Sequence, residues 1–320
     1  MNDYQSDRVR GILFGQAVGD ALGFGTEWIS KQRAAEEYPN GLTDYSQITR
    51  YGQLEGWSPG DWTDDTDQML CILDSLLEKQ ELDTRDIAAR IHHWAVTDGM
   101  GMGRTVYTAV NTPGFLENPA GIARQIWEDS GKVGAANGAV MRTSVLGIWQ
   151  YRDRDRVIEN AERVSRITHS DPRCVGSCVA VCLALSALLR GETDIETLVS
   201  AIARTTRSYH PEVQEYFEKA AISLEVLDLD EGLNPGEINR VGYTLKTLGA
   251  GFWALQRAQS YRDGLLQIIN EGGDADTNGA VAGALLGAKF GYEGIPRPWI
   301  EGLVYKEELA DKIEKFIALV

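Results

Sequence analysis

The sequence predicts an all-α, single-domain protein over residues 1–320. Three observations carry this. Apolar residues recur at helical spacing along most of the chain, no segment shows a clear period-2 alternation, and two acidic clusters far apart each open an apolar helical segment. In order, the first helix carries Gly11, Gly15, Gly19 and Gly23, one every fourth residue. After the first acidic cluster, Met69, Ile72, Leu73, Leu76 and Leu77 share one helix face. Ile87, Ile91, Trp94 and Ala95 mark the next helix, and residues 158–167, 172–189, 195–205, 213–226, 243–259 and 261–269 read likewise. The helix after the second cluster carries Gly279, Gly283 and Gly287, again four apart. Glycine costs a helix about 1 kcal/mol relative to alanine. Two such stripes imply compensation by close backbone approach, either to each other or to separate neighbours. If the stripes meet, the chain start brings Asp20 and Glu27 to Asp274 and Asp276. Loops are expected at 39–61, 111–119, 129–137 and 228–239, and no linker or low-complexity tract divides the chain.

Composition narrows the function. A net charge of −16 argues against a nucleic-acid surface, which needs Lys and Arg for phosphate contacts. Surface acids account for most of that charge, so it does not itself imply a metal. The start, MNDYQSDRVRG, lacks the basic and then apolar pattern of a secretory leader. The most apolar stretch, 175–189, is too short to span a bilayer and reads as a buried helix. Of the four cysteines, Cys174, Cys178 and Cys182 share one helix face, but no CxxC pair or nearby histidine completes a zinc set, so they read as core. These features together place the protein in a reducing, cytoplasmic compartment.

The chemistry concentrates in the acidic clusters, Trp62-Thr63-Asp64-Asp65-Thr66-Asp67 and Gly273-Asp274-Ala275-Asp276-Thr277-Asn278. Thr63 or Asp64 serves as an N-cap, and acids suit a helix N-terminus. Capping alone does not explain three crowded aspartates, whose charges repel unless a cation or solvent screens them. Gly272 and Gly273 permit a turn that aims Asp274 and Asp276 inward. Oxygen-only ligands suit magnesium, manganese or calcium better than zinc. The clusters therefore read as one metal site split between the two halves of a hydrolase.

These segments make the chain resemble the ADP-ribosylglycohydrolase family, including its dinitrogenase-reductase-activating type. The matching pieces run from Arg10-Gly11-Ile12-Leu13-Phe14-Gly15 through Gly19-Asp20-Ala21-Leu22-Gly23, then Glu27 and the first cluster. They continue with Asn137-Gly138-Ala139-Val140-Met141-Arg142, His169-Ser170-Asp171 and the second cluster with its preceding Gly272. The resemblance implies an orthogonally packed helical bundle with two Mg2+ or Mn2+ ions. It implies Thr63, Asp64 and Asp65 as one ligand group and Asp274, Asp276 and Thr277 as the other. Glu27 matches a family glutamate near the metals and the scissile bond. Asn137, Gly138, Met141 and His169 fall where the family lines its ADP-ribose cleft, Asp98 and Gly99 resemble a substrate-contacting loop, and Tyr243 is a candidate to stack on adenine. Ala275 departs from the threonine that many members carry, while the ligand positions are kept.

Ribosyl bond hydrolysis passes through an oxocarbenium-like state. Two metal ions can orient ribose hydroxyls and activate a water, with Glu27, Asp64 or Asp274 as acid or base. The expected substrate is an ADP-ribosylated protein side chain, foremost arginine, with ADP-ribose released and no nucleic acid or membrane span involved. Serine-linked or small-molecule ADP-ribose conjugates are the alternatives within the class, as is a non-catalytic ADP-ribose-binding or immunity protein of the same fold. An all-α prenyl diphosphate enzyme is the reading outside it, but Asp64, Asp65 and Asp67 are one residue short of the usual Asp-Asp-x-x-Asp spacing. His169 read alone could equally serve a capping turn before Pro172. His92 and His93 read as partly exposed, Gly99, Gly101 and Gly103 lack the context of a nucleotide-binding loop, and Trp57 and Trp62 read as packing or as a cleft wall.

Overall fold

The structure, a computed structural model, describes residues 1–49, 57–233 and 240–320. Among these residues there are sixteen α-helices and no β-strand. They are α1 (Asp3–Gly23), α2 (Lys31–Glu37), α3 (Asp64–Lys79), α4 (Thr84–Thr97), α5 (Arg104–Asn111), α6 (Pro119–Asp129), α7 (Ser144–Ile148) and α8 (Arg154–Ser165). The second half holds α9 (Pro172–Leu189), α10 (Ile195–Thr206), α11 (Pro211–Ile222), α12 (Thr244–Arg257), α13 (Tyr261–Ile269), α14 (Ala275–Phe290), α15 (Arg297–Glu301) and α16 (Lys306–Leu319).

The two glycine stripes meet. A Cβ on Gly19 would lie 1.9 Å from the Gly279 carbonyl oxygen, one on Gly15 2.4 Å from that of Gly283, and one on Gly287 1.8 Å from that of Gly11. No side chain fits between these backbones, so α1 and α14 run at glycine-limited separation from Gly11 to Gly23. The propensity cost of the glycines is offset by dense backbone packing in the centre of the core. Around this pair stand α9, α12 and α13, while α3 and α16 flank α1. The apolar α9 has 89% of its length buried, and its three cysteines pack in the core as expected. Cys174 and Cys182 each donate to a backbone carbonyl, of Ala136 and Thr143, at 3.2 Å.

Most helices fall where the apolar spacing predicts, and α9 and α13 agree to the residue. The helix expected over 213–226 stops at Ile222, because Ser223 is fully extended (φ −168°, ψ 169°). Several helices are absent from the sequence reading. Among them, α2, α5, α7 and α15 are short, with too few turns for a periodic signal, whereas α6 buries only Ala123 and so shows little apolar face. The last helix, α16, does carry a readable stripe in Leu309, Ile313 and Phe316. The expected loops at 111–119 and 129–137 separate helices as read. Parts of the other two, 50–56 and 234–239, lie outside the described residues.

Candidate functional site

Both acidic clusters sit at helix N-termini, and the α1–α14 contact brings them together. Asp20 on α1 accepts from the Thr63 and Thr66 backbone N–H groups, each at 3.0 Å, and from both threonine hydroxyls, at 2.9 and 2.6 Å. Both of its oxygens are spent on clamping the first turn of α3, so Asp20 supports the site without lining it. Thr63 caps α3, as the sequence suggests. Asp67 turns away from the centre and is held by the indole N–H groups of Trp62 (2.8 Å) and Trp94 (3.1 Å). Trp62 is buried against Tyr305, and Trp57 packs edge-on to Phe24, so both tryptophans serve packing.

The second cluster is aimed by backbone. Gly272 and Gly273 adopt φ of +73° and +75°, a region that favours glycine. In that turn Trp28 N–H donates to the Gly273 carbonyl (2.7 Å) and Gly273 N–H donates to the Ile29 carbonyl (2.9 Å). The segment carrying Glu27 is thereby pinned to the turn carrying Asp274. Ligand atoms of Glu27, Asp274 and Asp276 all lie within 4.8 Å of one another. Asn137 donates to Asp274 Oδ2 (2.6 Å) and to Thr247 Oγ1 (3.0 Å), which fixes that carboxylate from the opposite wall. The clusters touch directly, since Thr277 Oγ1 and Thr63 Oγ1 reach Asp65 Oδ2 at 3.2 and 3.0 Å.

A cavity of about 210 Å3 opens onto this centre. Its lining includes Glu27, Asp64, Asn137, Gly138, Met141, His169, Asp274, Asp276 and Thr277, so most of the expected residues converge. Asp98 and Gly99 do not line it, and the same loop instead contributes Gly101 and Gly103. Tyr243 stands in an adjoining hollow of about 830 Å3 that shares Arg104, Thr105, Ala136, Val241 and Gly242 with the cavity. There its hydroxyl donates to Glu212 (2.5 Å), and the Arg173 guanidinium lies 5.6 Å from its ring centroid. A hollow of about 680 Å3 between α10, α11 and α12 lies away from both clusters.

The electrostatics call for cations. Burial, followed by neighbouring carboxylates, pushes Asp64, Asp65 and Asp276 well above the usual carboxylate range. Burial raises Asp274 as well, and raises Asp20 to about 7 against four hydrogen bonds that pull it down. Asp65 Oδ1 and Asp276 Oδ1 are buried with no hydrogen-bond partner. Among the described residues no lysine or arginine forms an ion pair with Asp64, Asp65, Asp274 or Asp276. Unpaired buried carboxylates are costly, and this all-oxygen set, with its two threonine hydroxyls, suits hard divalent cations. Several supporting residues escaped the sequence reading. Gln68 lies one helical turn beyond Asp64, a spacing that could have flagged it. Thr168 and Thr247 offered no local signal.

The family model for ADP-ribosylglycohydrolase matches residues 1–320. An ADP-ribosylarginine hydrolase, Tri1, of Serratia proteamaculans is 26% identical, with 97% of this chain and 78% of the relative aligned. The ADP-ribosyl-[dinitrogen reductase] glycohydrolase of Rhodospirillum rubrum is 27% identical, with 98% and 96% aligned. A solved structure of an ADP-ribosylglycohydrolase-related protein complex superposes with a TM-score of 0.73 at 26% identity, covering 99% of each chain.

Proposed function

Since the chain belongs to the ADP-ribosylglycohydrolase family and is thus a glycosyl hydrolase, we propose that it cleaves ADP-ribose from arginine side chains of proteins with the help of two divalent cations. The observation that carries this is the meeting of Glu27, Asp274 and Asp276 within 4.8 Å in one cleft with Asp64, and with Asp65 joined to them through Thr277. Thr63, Asp64 and Asp65 would hold one Mg2+ or Mn2+ ion, and Asp274, Asp276 and Thr277 the other. When bound, such ions supply Lewis acidity to the ribose hydroxyls and to water.

The chain's own residues do the rest. Asn137 holds Asp274 in register. Gly138, Met141 and His169 wall the ribose end of the cleft, and the hollow beside Tyr243 extends it toward an adenosine diphosphate arm. Half-buried Glu27 stands at the junction of cleft and acidic centre, where its carboxylate takes a proton from water as the C1–N bond breaks. The water oxygen bonds to ribose C1, the bonding electrons leave with the guanidine nitrogen, and a proton returns to that nitrogen.

The test is release of free ADP-ribose from an ADP-ribosyl-arginine protein with magnesium or manganese, beside EDTA and Asp276→Asn controls. Cation-dependent release lost in the variant supports the proposal. Release from serine-linked or small-molecule conjugates alone would move the linkage. Binding of ADP-ribose without any release would move the protein to a non-catalytic role.

A further inference from the structure

Arg142 is buried at 0% exposure, and no carboxylate among the described residues pairs with it. A buried guanidinium needs hydrogen bonds; Nε has no partner among the described residues, and the two terminal nitrogens carry the contacts. Nη1 donates to Gln68 Oε1 and Nη2 donates to Thr168 Oγ1, each at 2.6 Å. Guanidinium can only donate, so it fixes the direction of whatever lies beyond. On one side, Gln68 must turn its oxygen to Arg142, and its amide nitrogen donates to Asp64 Oδ2 at 2.8 Å. On the other, Thr168 has one lone pair taken and a single hydrogen left. His169 Nδ1 lies 2.8 Å away. The Thr168 oxygen keeps a second lone pair, but its hydrogen has no other acceptor among the hydrogen bonds of the described residues, so both groups are satisfied when Thr168 donates to Nδ1; a neutral imidazole with an acceptor at Nδ1 carries its hydrogen on Nε2. His169 is only 3% exposed, and its Nε2 has no partner. The ring lines the cleft beside Gly138, where an added Cβ would sit 3.3 Å from Nε2. Burial and the Arg142 charge also push the imidazole down to about 3, so it stays neutral.

We propose that Arg142 is a positioning residue of the site: through Thr168 it locks His169 in the neutral Nε2–H form, a hydrogen-bond donor to an oxygen of the ADP-ribosyl group, and through Gln68 it anchors Asp64. The choice of ligand rests on the hydrolase reading, whereas the lock itself does not. Locked this way, Nε2 cannot take a proton during the reaction, which leaves acid–base work to the carboxylates. One buried cation thus sets the hydrogen-bond sense on two walls of the same cleft.

The test is nitrogen-15 NMR of histidine-labelled protein, with His169 identified among the four histidines by its loss in His169→Gln. The expected wild-type spectrum has His169 protonated on Nε2 and bare on Nδ1, and ADP-ribose with magnesium shifts its Nε2–H resonance. Thr168→Val, which keeps shape but lacks the hydroxyl, should admit the Nδ1–H form and lower kcat roughly ten- to a hundredfold. Thr168→Ser should restore both. Arg142→Met could fail to fold, so the threonine pair carries the test. A wild-type His169 protonated on Nδ1, a Thr168→Val protein with unchanged tautomer and kcat, or no shift on adding ADP-ribose would each overturn the proposal. A correct tautomer and ligand shift without turnover on any conjugate would instead count against the hydrolase reading alone.

Discussion

At the scale of single residues, the site separates groups that face the cleft from groups that hold them there. Asp276 faces it, with Oδ1 buried and unpartnered. Asp276→Asn keeps volume and removes a charge, so it should abolish turnover while circular dichroism stays close to wild type and unfolding stays cooperative; full activity would break the metal-site reading. Asp20 never reaches the cleft, yet four donors converge on it. Asp20→Asn turns an amide toward two of them and should cost about 2–3 kcal/mol in chemical denaturation. Divalent-cation affinity should weaken too, because the first turn of α3 loses its clamp. Unchanged affinity measured by calorimetry would show that the clamp does not position Asp64 and Asp65. The facing group was legible because charge crowding at two helix starts has no economical structural explanation. The holding group was not. Gln68, Arg142 and Thr168 act through pairings distant in sequence, and nothing local distinguishes them from core polar residues.

At the scale of elements, the α1–α14 pair decides where the clusters go. The four-residue glycine spacing announced close packing for each helix, and the structure supplies the partner, since Gly15 and Gly283 face each other, as do Gly19 and Gly279. Gly19→Ala would gain about 1 kcal/mol of helix propensity. It would also drive a methyl group against the Gly279 backbone, at a cost of about 3 kcal/mol, the upper end of the usual range for overpacking. The expected net result is clear destabilisation. Gly134→Ala is the contrasting variant, because its added Cβ meets only the Ser130 hydroxyl at 3.9 Å, and its stability should stay within about 0.5 kcal/mol of wild type. Equal stabilities for the two variants, by urea denaturation, would mean that α1 and α14 can separate cheaply. Helices such as α9 and α13 were readable to their ends, because Pro172 and Ser260 mark their starts and the apolar residues run their whole length. Short ones such as α5 and α7 were not, since one or two turns carry no period.

At the scale of the whole molecule, folding creates a charge problem that the proposed cations would solve. The two acidic clusters lie some two hundred residues apart in sequence and touch through Thr277 and Asp65. Only the folded chain therefore crowds these carboxylates together. An unfolded aspartate titrates near ~3.9. In the fold Asp20 is raised to about 7, and Asp64, Asp65 and Asp276 are raised well above the usual range. Between those limits the folded state binds more protons than the unfolded one, so linkage makes this contribution to stability fall as pH rises through the window. The penalty is absent below the unfolded values and complete above the folded ones. Cations act in the opposite sense, because they bind the ionised ligands and so gain affinity with pH. The melting-temperature gap between protein with magnesium or manganese and protein with EDTA should therefore widen from about pH 5 to about pH 8. At a hundredfold excess over Kd it should reach roughly 5 °C. Asp276→Asn removes one of the mutually repelling charges, so in EDTA at the upper pH it should melt above wild type, with a smaller cation response. Differential scanning fluorimetry over that range measures both. A gap that stays constant with pH, or a variant that melts below wild type in EDTA, would mean that these carboxylates are relieved by something other than a bound cation.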